Sequence, residues 1–186
     1  QSEQNPGAPL QDELLGDALT VVWHAGEPLT VPPAFYDEAA DVLNDELASD
    51  VELSFALQTN ATLVDDAWCR LFERQRMRVG VSLDGLGATH DKFRRMQGAF
   101  DLSLAGIRLC CDAGLKVGVR YTMTQDNFQD LPGLLELVED EGVDRFYFAH
   151  LNYAGRGNKN RKDDALHQMT KNAMDLLFDT CWNYPQ

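Results

Sequence analysis

The sequence predicts an α/β fold built on a parallel sheet. Two observations carry this: short β-type runs alternate with amphipathic helical stretches five times, and the connections between them are short. Strands that alternate with helices pair in parallel, because each crossover must cover a face of the sheet. The runs Leu19–Trp23 and Val79–Leu83 read as strands buried on both faces, as parallel strands commonly are.

The first strand is expected at Leu19–Trp23, between Asp17 and Gly26. A helix follows from Ala34 to about Leu47, with Pro32 and Pro33 in the position that suits a helix start. The second strand is expected over Glu52–Gln58. Its helix runs from Asp65 to about Arg74, with Thr62 and Asp65/Asp66 resembling a capping arrangement. The third strand is Arg78–Leu83. A loop from Asp84 to about Gln97 leads to a helix from Ala99 to Ala113, stopped by Gly114. The fourth strand is Lys116–Thr122, and its helix, Leu131–Glu141, starts near Pro132 and ends at Gly142. The fifth strand is Arg145–His150, and a last helix is expected from about Asp164 to Asp179. An open doubly wound sheet and a full or partial barrel both fit this order. The first strand is not followed by a Gly-rich dinucleotide fingerprint, which weighs against a Rossmann domain.

Composition narrows the function. The chain has 186 residues, of which 44% are hydrophobic, enough for a core. No apolar run approaches the roughly 20 residues that span a bilayer, so a membrane is not expected as a partner. Thirty acidic residues against 16 Lys and Arg give a net charge of −14. Such a surface repels phosphate backbones, which excludes nucleic acid as the expected partner. The four cysteines (Cys69, Cys110, Cys111 and Cys181) lack metal-ligand spacing and read as reduced thiols of a cytoplasmic protein. Cys110 and Cys111 point about 100° apart on a helix. His24, His90, His150 and His167 show no ligand spacing either, so no metal site is expected.

In both architectures ligands gather where the strands end. After the first strand stands WHAGEPL. Gly26 permits close approach, Pro28 stiffens the turn, and Glu27 can accept hydrogen bonds from a cationic amine or simply face solvent. After the second strand, Gln58 and Asn60 share one side; their amides suit a carboxylate or ribose, and from spacing alone capping of the next helix is the expected job of Asn60. After the third, Ser82 and Asp84 share a side and suit ribose hydroxyls. The loop beyond carries His90, Asp91, Arg94 and Arg95, where an arginine can pair with a carboxylate. Arg120 falls within the otherwise apolar fourth strand and needs a partner if it points inward. After the fifth strand, His150, Tyr153, Arg156, Lys159, Arg161 and Lys162 form a basic island in an acidic chain, suited to an anionic substrate or to plain solvation.

The order of these pieces is more specific than any one of them. WHAGEPL, then QTNAT followed by DDAWCRLF, then VGVSLDG followed by THDKFRR, resembles the core of radical SAM enzymes, particularly the class that modifies peptides or proteins. From Ser82 onward, SLDGLGATHDKFRRMQGAFDLSLAGIRLC and FYFAHLNYAGRGNKNRKDD are similar to the radical SAM proteins of heme d1 and alternative heme biosynthesis. The resemblance covers about residues 18–166. It implies a partial (β/α)6 barrel over residues 18–163, preceded by a polar segment over 1–17 that ends a preceding helix. A C-terminal helix over 164–186 would lead to a further domain. It implies that Gly26, Glu27 and Pro28 form the turn that receives the amino group of S-adenosylmethionine (SAM). Gln58 and Asn60 would lie beside the methionine moiety, Ser82 and Asp84 near the ribose, and Arg94 at the methionine carboxylate. Ala25 stands where the family's Gly-Gly-Glu-Pro motif has its first glycine. An alanine costs little there unless φ is positive.

The resemblance also implies a [4Fe–4S] cluster, held by a C-x3-C-x2-C loop, that takes an electron from a donor and cleaves SAM to a 5′-deoxyadenosyl radical. This sequence contains no such loop, so the chain is expected to be an internal piece of the enzyme with the cluster ligands upstream. The implied substrate is a tetrapyrrole, whose propionates would meet Arg156, Lys159, Arg161 or Lys162, or else a peptide or protein side chain. Arg120, His150 and Tyr153 complete the candidate substrate residues. Two other readings are a cluster-free binding module and an unrelated barrel enzyme using Glu27, Asp84 and His150 as acid–base groups.

Overall fold

The structure is a computed structural model that describes residues 18–47, 51–151 and 164–183. Five parallel strands lie side by side in chain order: β1 (Ala18–Trp23), β2 (Glu52–Thr59), β3 (Arg78–Ser82), β4 (Val117–Met123) and β5 (Arg145–His150). When each strand joins its immediate neighbour through a right-handed crossover, all the helices fall on one side. The sheet with its helices on the outside is therefore a half-barrel. The helices are α1 (Pro33–Glu46), α2 (Asp66–Arg74), α3 (Ala88–Arg94), α4 (Ala99–Asp112), α5 (Leu131–Asp140) and α6 (His167–Asn183). Among the described residues no helix is long and apolar enough to cross a membrane.

The core lies between sheet and helices. Alternate strand residues point into it: Phe55, Leu57, Val79, Val81, Val119, Tyr121 and Met123 are buried and pack on Trp68, Leu71, Phe72, Ile107 and Leu134. An aromatic ladder ties β1 to α1 and α2. Trp23 meets Tyr36 edge-on at 5.2 Å, Tyr36 meets Trp68 at 5.6 Å, and Trp68 meets Phe72 at 5.8 Å. Such pairs add about 0.5–1.5 kcal/mol each beyond area burial.

Several expectations need correction. The strands are buried on one face only: in β3 the burial alternates, and in β1 Val22 is half exposed. Their intervening residues are mostly small or polar, with Val22 and Tyr147 as exceptions, and face the concave side, which the helices do not cover. The loop expected over 84–97 contains α3. Helix α2 is capped by Asp65 itself, whose carboxylate accepts from the Ala67 and Trp68 N–H groups, and not by Thr62. The last helix starts at His167, because Asp164 forms a bridge with Thr124 instead. Arg120 is exposed on the concave face, so it needs no buried partner.

Candidate functional site

A cleft of about 350 Å³ opens at the C-terminal ends of β1, β2 and β3. Gly26, Glu27, Gln58, Asn60, Ser82 and Arg94 all line it, with Met96 and Ser103 from the far side. Pro28 and Asp84 lie behind the wall: both are buried, Asp84 to 1% exposure, and neither lines the cleft. His150, exposed at the end of β5, lines neither this cleft nor the concave cavity. Tyr153, Arg156, Lys159, Arg161 and Lys162 lie outside the described residues.

The first wall is the turn after β1. Ala25 has φ 75° and Gly26 φ 63°. The condition under which an alanine is costly therefore holds at position 25, where the left-handed conformation costs an L-residue about 1–2 kcal/mol. Glu27 locks this turn to β2. Its carboxylate accepts from the Leu29 N–H at 3.1 Å, the Thr59 hydroxyl at 2.6 Å and the Asn60 N–H at 2.8 Å. A carboxylate has about four acceptor positions, which leaves room for one more donor. The Tyr36 hydroxyl donates to the Pro28 carbonyl at 2.7 Å and holds the 3-10 turn Pro28–Thr30 from beneath. Burial, and then the nearby Glu27 charge, push that phenol above its usual range.

The second wall is the bend after β2. The Asn60 carboxamide oxygen accepts from the Thr62 N–H and hydroxyl at 2.9 and 2.8 Å, so it braces its own turn and does not cap α2. The Ser103 hydroxyl of α4 donates to the Asn60 carbonyl at 2.7 Å. Gly106, one turn further along α4, lets the helix sit against this bend: a Cβ there would stand 2.3 Å from the Ala61 carbonyl oxygen.

The third wall comes from β3 and α3. Gln58 donates to the Ser82 hydroxyl at 2.9 Å. Asp84 pairs with Arg94 and accepts from the Thr122 N–H at 2.8 Å. Burial raises its carboxyl, while Arg94 and Thr122 pull the other way. Asp84 therefore positions Arg94 and is not placed to touch a ligand in the cleft. His90 is fully buried, and its Nδ1 accepts from the Asp84 N–H at 2.9 Å. That bond fixes the tautomer with the proton on Nε2. Nε2 of His90 and Nε of Arg94 have no hydrogen-bond partner among the described residues, and both side chains line the cleft.

The sequence places His90 and Asp91 in the loop after the third strand but indicates no role for them or for Asn127. Asp91 accepts from the Gly98 and Phe100 N–H groups at 2.6 and 2.9 Å and so caps α4; its hydrogen bond with Phe100, then that with Gly98, hold its carboxyl low. Asn127, fully buried, donates to the Asp84 and Thr122 carbonyls and staples the end of β3 to that of β4. In the sequence, the usable signal was the clustering of His90, Asp91 and Arg94 just past a strand end.

The residues at the strand ends thus converge on one cleft. A profile of the radical SAM superfamily matches residues 11–138, more than half of the chain. The chain belongs to the radical SAM superfamily. It is 52% identical over 124 residues to the pre-heme d1 synthase of Dinoroseobacter shibae, covering 66% of this chain and 31% of that protein. It is 35% identical to the Fe-coproporphyrin III synthase of Methanosarcina barkeri, covering 93% and 42%. A serine-type anaerobic sulfatase-maturating enzyme of Klebsiella aerogenes is 38% identical over 94 residues, covering 49% and 23%. The chain thus spans less than half the length of each of these relatives. Among solved structures, anSMEcpe with bound AdoMet superposes with a TM-score of 0.65 at 17% identity, over 74% of this chain and 38% of that one. Streptococcus suis SuiB bound to precursor peptide SuiA superposes with 0.61 at 15% identity, over 88% and 36%. These likenesses show the partial barrel fold.

The superfamily implies SAM and an iron–sulfur cluster. The partly exposed guanidinium of Arg94 at the cleft wall fits the carboxylate of an amino-acid moiety, and the one open acceptor position on Glu27 fits an ammonium. The cysteines do not fit a cluster. Cys69 and Cys110 are buried against each other in the helix-side core, Cys111 is half-buried and Cys181 lies exposed on α6. Burial pushes the thiols of Cys69, Cys110 and Cys111 above their usual range, away from the thiolate that iron needs. Among the described residues no three His, Cys, Asp or Glu side chains come together to hold a metal.

Proposed function

We propose that this cleft is the SAM site and that the intact protein is a cytoplasmic enzyme, supplied by an electron donor, that cleaves SAM reductively to begin radical modification of a tetrapyrrole. The observation that carries the reading is the convergence of Gly26, Glu27, Gln58, Asn60, Ser82 and Arg94 on one cleft at the strand ends. In this reading Glu27 takes the amino group of SAM. Arg94 gives its partly exposed guanidinium N–H groups to the SAM carboxylate, and buried His90 backs the wall. Gln58 and Asn60 flank the methionine moiety, and Ser82 meets the ribose. Asp84 and Pro28 act from behind, by holding Arg94 and the turn.

The tetrapyrrole is favoured because two of the relatives, one 52% identical and one matched over 93% of this chain, both carry tetrapyrrole names. A peptide or protein substrate is the second reading, supported by the sulfatase-maturating relative over 49% of the chain.

Isothermal titration of SAM into the intact protein, kept anaerobic, tests the site. Glu27→Gln removes a charge-assisted acceptor and is expected to weaken SAM binding by roughly 10- to 100-fold, with iron content unchanged. Unaltered SAM affinity would remove Glu27 from the site.

A further inference from the structure

The concave face of the sheet holds a second cavity, of about 500 Å³, and its chemistry is unlike the rest of the chain. Its floor is made of small residues, Ala56, Gly80 and Gly118, with Val22 at one side. From that floor rise three arginines on three adjacent strands: Arg78 of β3, Arg120 of β4 and Arg145 of β5. The register sets Arg78 beside Ala56, Arg145 beside Gly118 and Arg120 between Ser82 and Tyr147. Parallel strands lie about 4.8 Å apart and same-face residues repeat about every 6.6 Å. The three Cα positions are therefore roughly 8–14 Å from one another.

The charge is what needs explaining. The chain carries 30 acidic residues against 16 basic ones. Among the described residues, however, none of these three guanidiniums pairs with a carboxylate. Arg78 reaches only the Thr20 hydroxyl, at 3.5 Å. Arg120 lies over the Tyr147 ring at 5.9 Å. The nearby Lys116 differs, since Asp144 neutralises it at 2.8 Å. Like charges gathered on one wall repel, and an anion arriving among them is held in proportion. The spread is too wide for one carboxylate and suits several carried on one rigid scaffold. Tyr147 adds an apolar face: it is 44% exposed, and its ring covers the space that a Cβ on Gly118 would fill.

The cavity also adjoins the cleft, because Gln58 lines both. We infer that this wall binds the carboxylates of a flat, polycarboxylate substrate, with Arg78, Arg120 and Arg145 as the anion-binding residues and Tyr147 under the ring system. The inference rests on the radical SAM reading for the reaction, and it names the residues that select the substrate.

The test uses the intact, anaerobically purified protein and the free acid of coproporphyrin III as probe, followed by its visible absorption. The free acid is expected to bind, and its tetramethyl ester to bind at least about tenfold more weakly. Arg120→Gln and Arg145→Gln should each weaken free-acid binding by about tenfold. Arg120→Lys should keep part of the affinity, and Arg74→Gln on the outer surface should change nothing. SAM affinity, measured in the same variants, should stay at the wild-type value. Equal binding of acid and ester, or arginine variants that bind as the wild type does, would overturn the inference. So would arginine-dependent binding of an acidic peptide without binding of the porphyrin. If the wild type binds the porphyrin through these arginines but fails to bind SAM, the inference stands and the radical SAM reading of the cleft falls.

Discussion

His90 shows how one buried side chain sets both the cleft and its response to pH. Burial first, and Arg94 second, lower its pKa from 6.5 to about 4. Between those values the unfolded chain holds a proton that the folded chain does not, so stability rises with pH across the interval. The contribution is fully present above about pH 6.5 and is lost as pH falls toward 4. At 1.36 kcal/mol per pH unit it amounts to roughly 3 kcal/mol in all, with roughly 2 kcal/mol gone by pH 5. Urea unfolding at pH 7.5 and pH 5 is expected to show that loss in the wild type and a clearly smaller one in His90→Gln. Carboxylate effects are common to both proteins and drop out of the comparison, so equal losses would show that His90 does not carry the dependence. A lone histidine in a sequence gives no hint of this. Its role depends on the Asp84 N–H six residues back and on Phe100, whose ring lies 6.2 Å away.

At the scale of elements, α4 decides whether the bend after β2 keeps its shape. Gly106 is the contact point, and two effects of opposite sign meet there. Helix propensity alone favours alanine by about 1 kcal/mol. The added Cβ, however, would stand 2.3 Å from the backbone oxygen of Ala61, an atom that cannot swing away. Relieving such a clash costs typically 1–3 kcal/mol, so packing outweighs propensity. Gly106→Ala is therefore expected to lower the melting temperature. Parting Ser103 from the Asn60 carbonyl should also weaken SAM binding, while Ala105→Gly on the exposed side of the same helix should leave SAM affinity alone. A Gly106→Ala protein as stable as wild type would show that the bend does not need the close approach. The contrast also marks what the sequence could reveal. The helix over 99–113 was legible from its apolar period and from Gly114. The glycine inside it was not, because its partner lies 45 positions away. The strand ends were legible in the same way: Gln58 and Asn60, or Ser82 and Asp84, fall on one side by alternation. That Asp84 sinks behind the wall depends on Thr122 and Asn127, about 40 residues downstream, and no local pattern records it.

Across the whole molecule, the two sides of the sheet divide the work. The helix side supplies cohesion, with Leu71, Phe72, Val81, Leu83, Val119 and Tyr121 fully buried. The concave side is lined mostly by small and polar residues and is left open by the helices. This division accounts for the expectation that failed at this scale. Parallel strands were read as buried on both faces, yet a half-barrel buries one and turns the other to its cavity. It also predicts where the 186-residue chain, taken by itself, opens first. Among the described residues, β2, β3 and β4 are each hydrogen-bonded on both sides, whereas β1 and β5 are paired on one. β1 is also poorly covered, with Leu19 at 43% and Val22 at 50% exposure. Local opening free energies follow burial and backbone pairing. Amide hydrogen exchange followed by mass spectrometry should therefore be slowest in β3 and β4, around Val81 and Val119, and fastest among the strands in β1. Protection of β1 equal to that of β4 would mean that the sheet opens as one cooperative unit. The cohesion of the half-barrel would then come from its helices collectively, and not from the paired centre of the sheet.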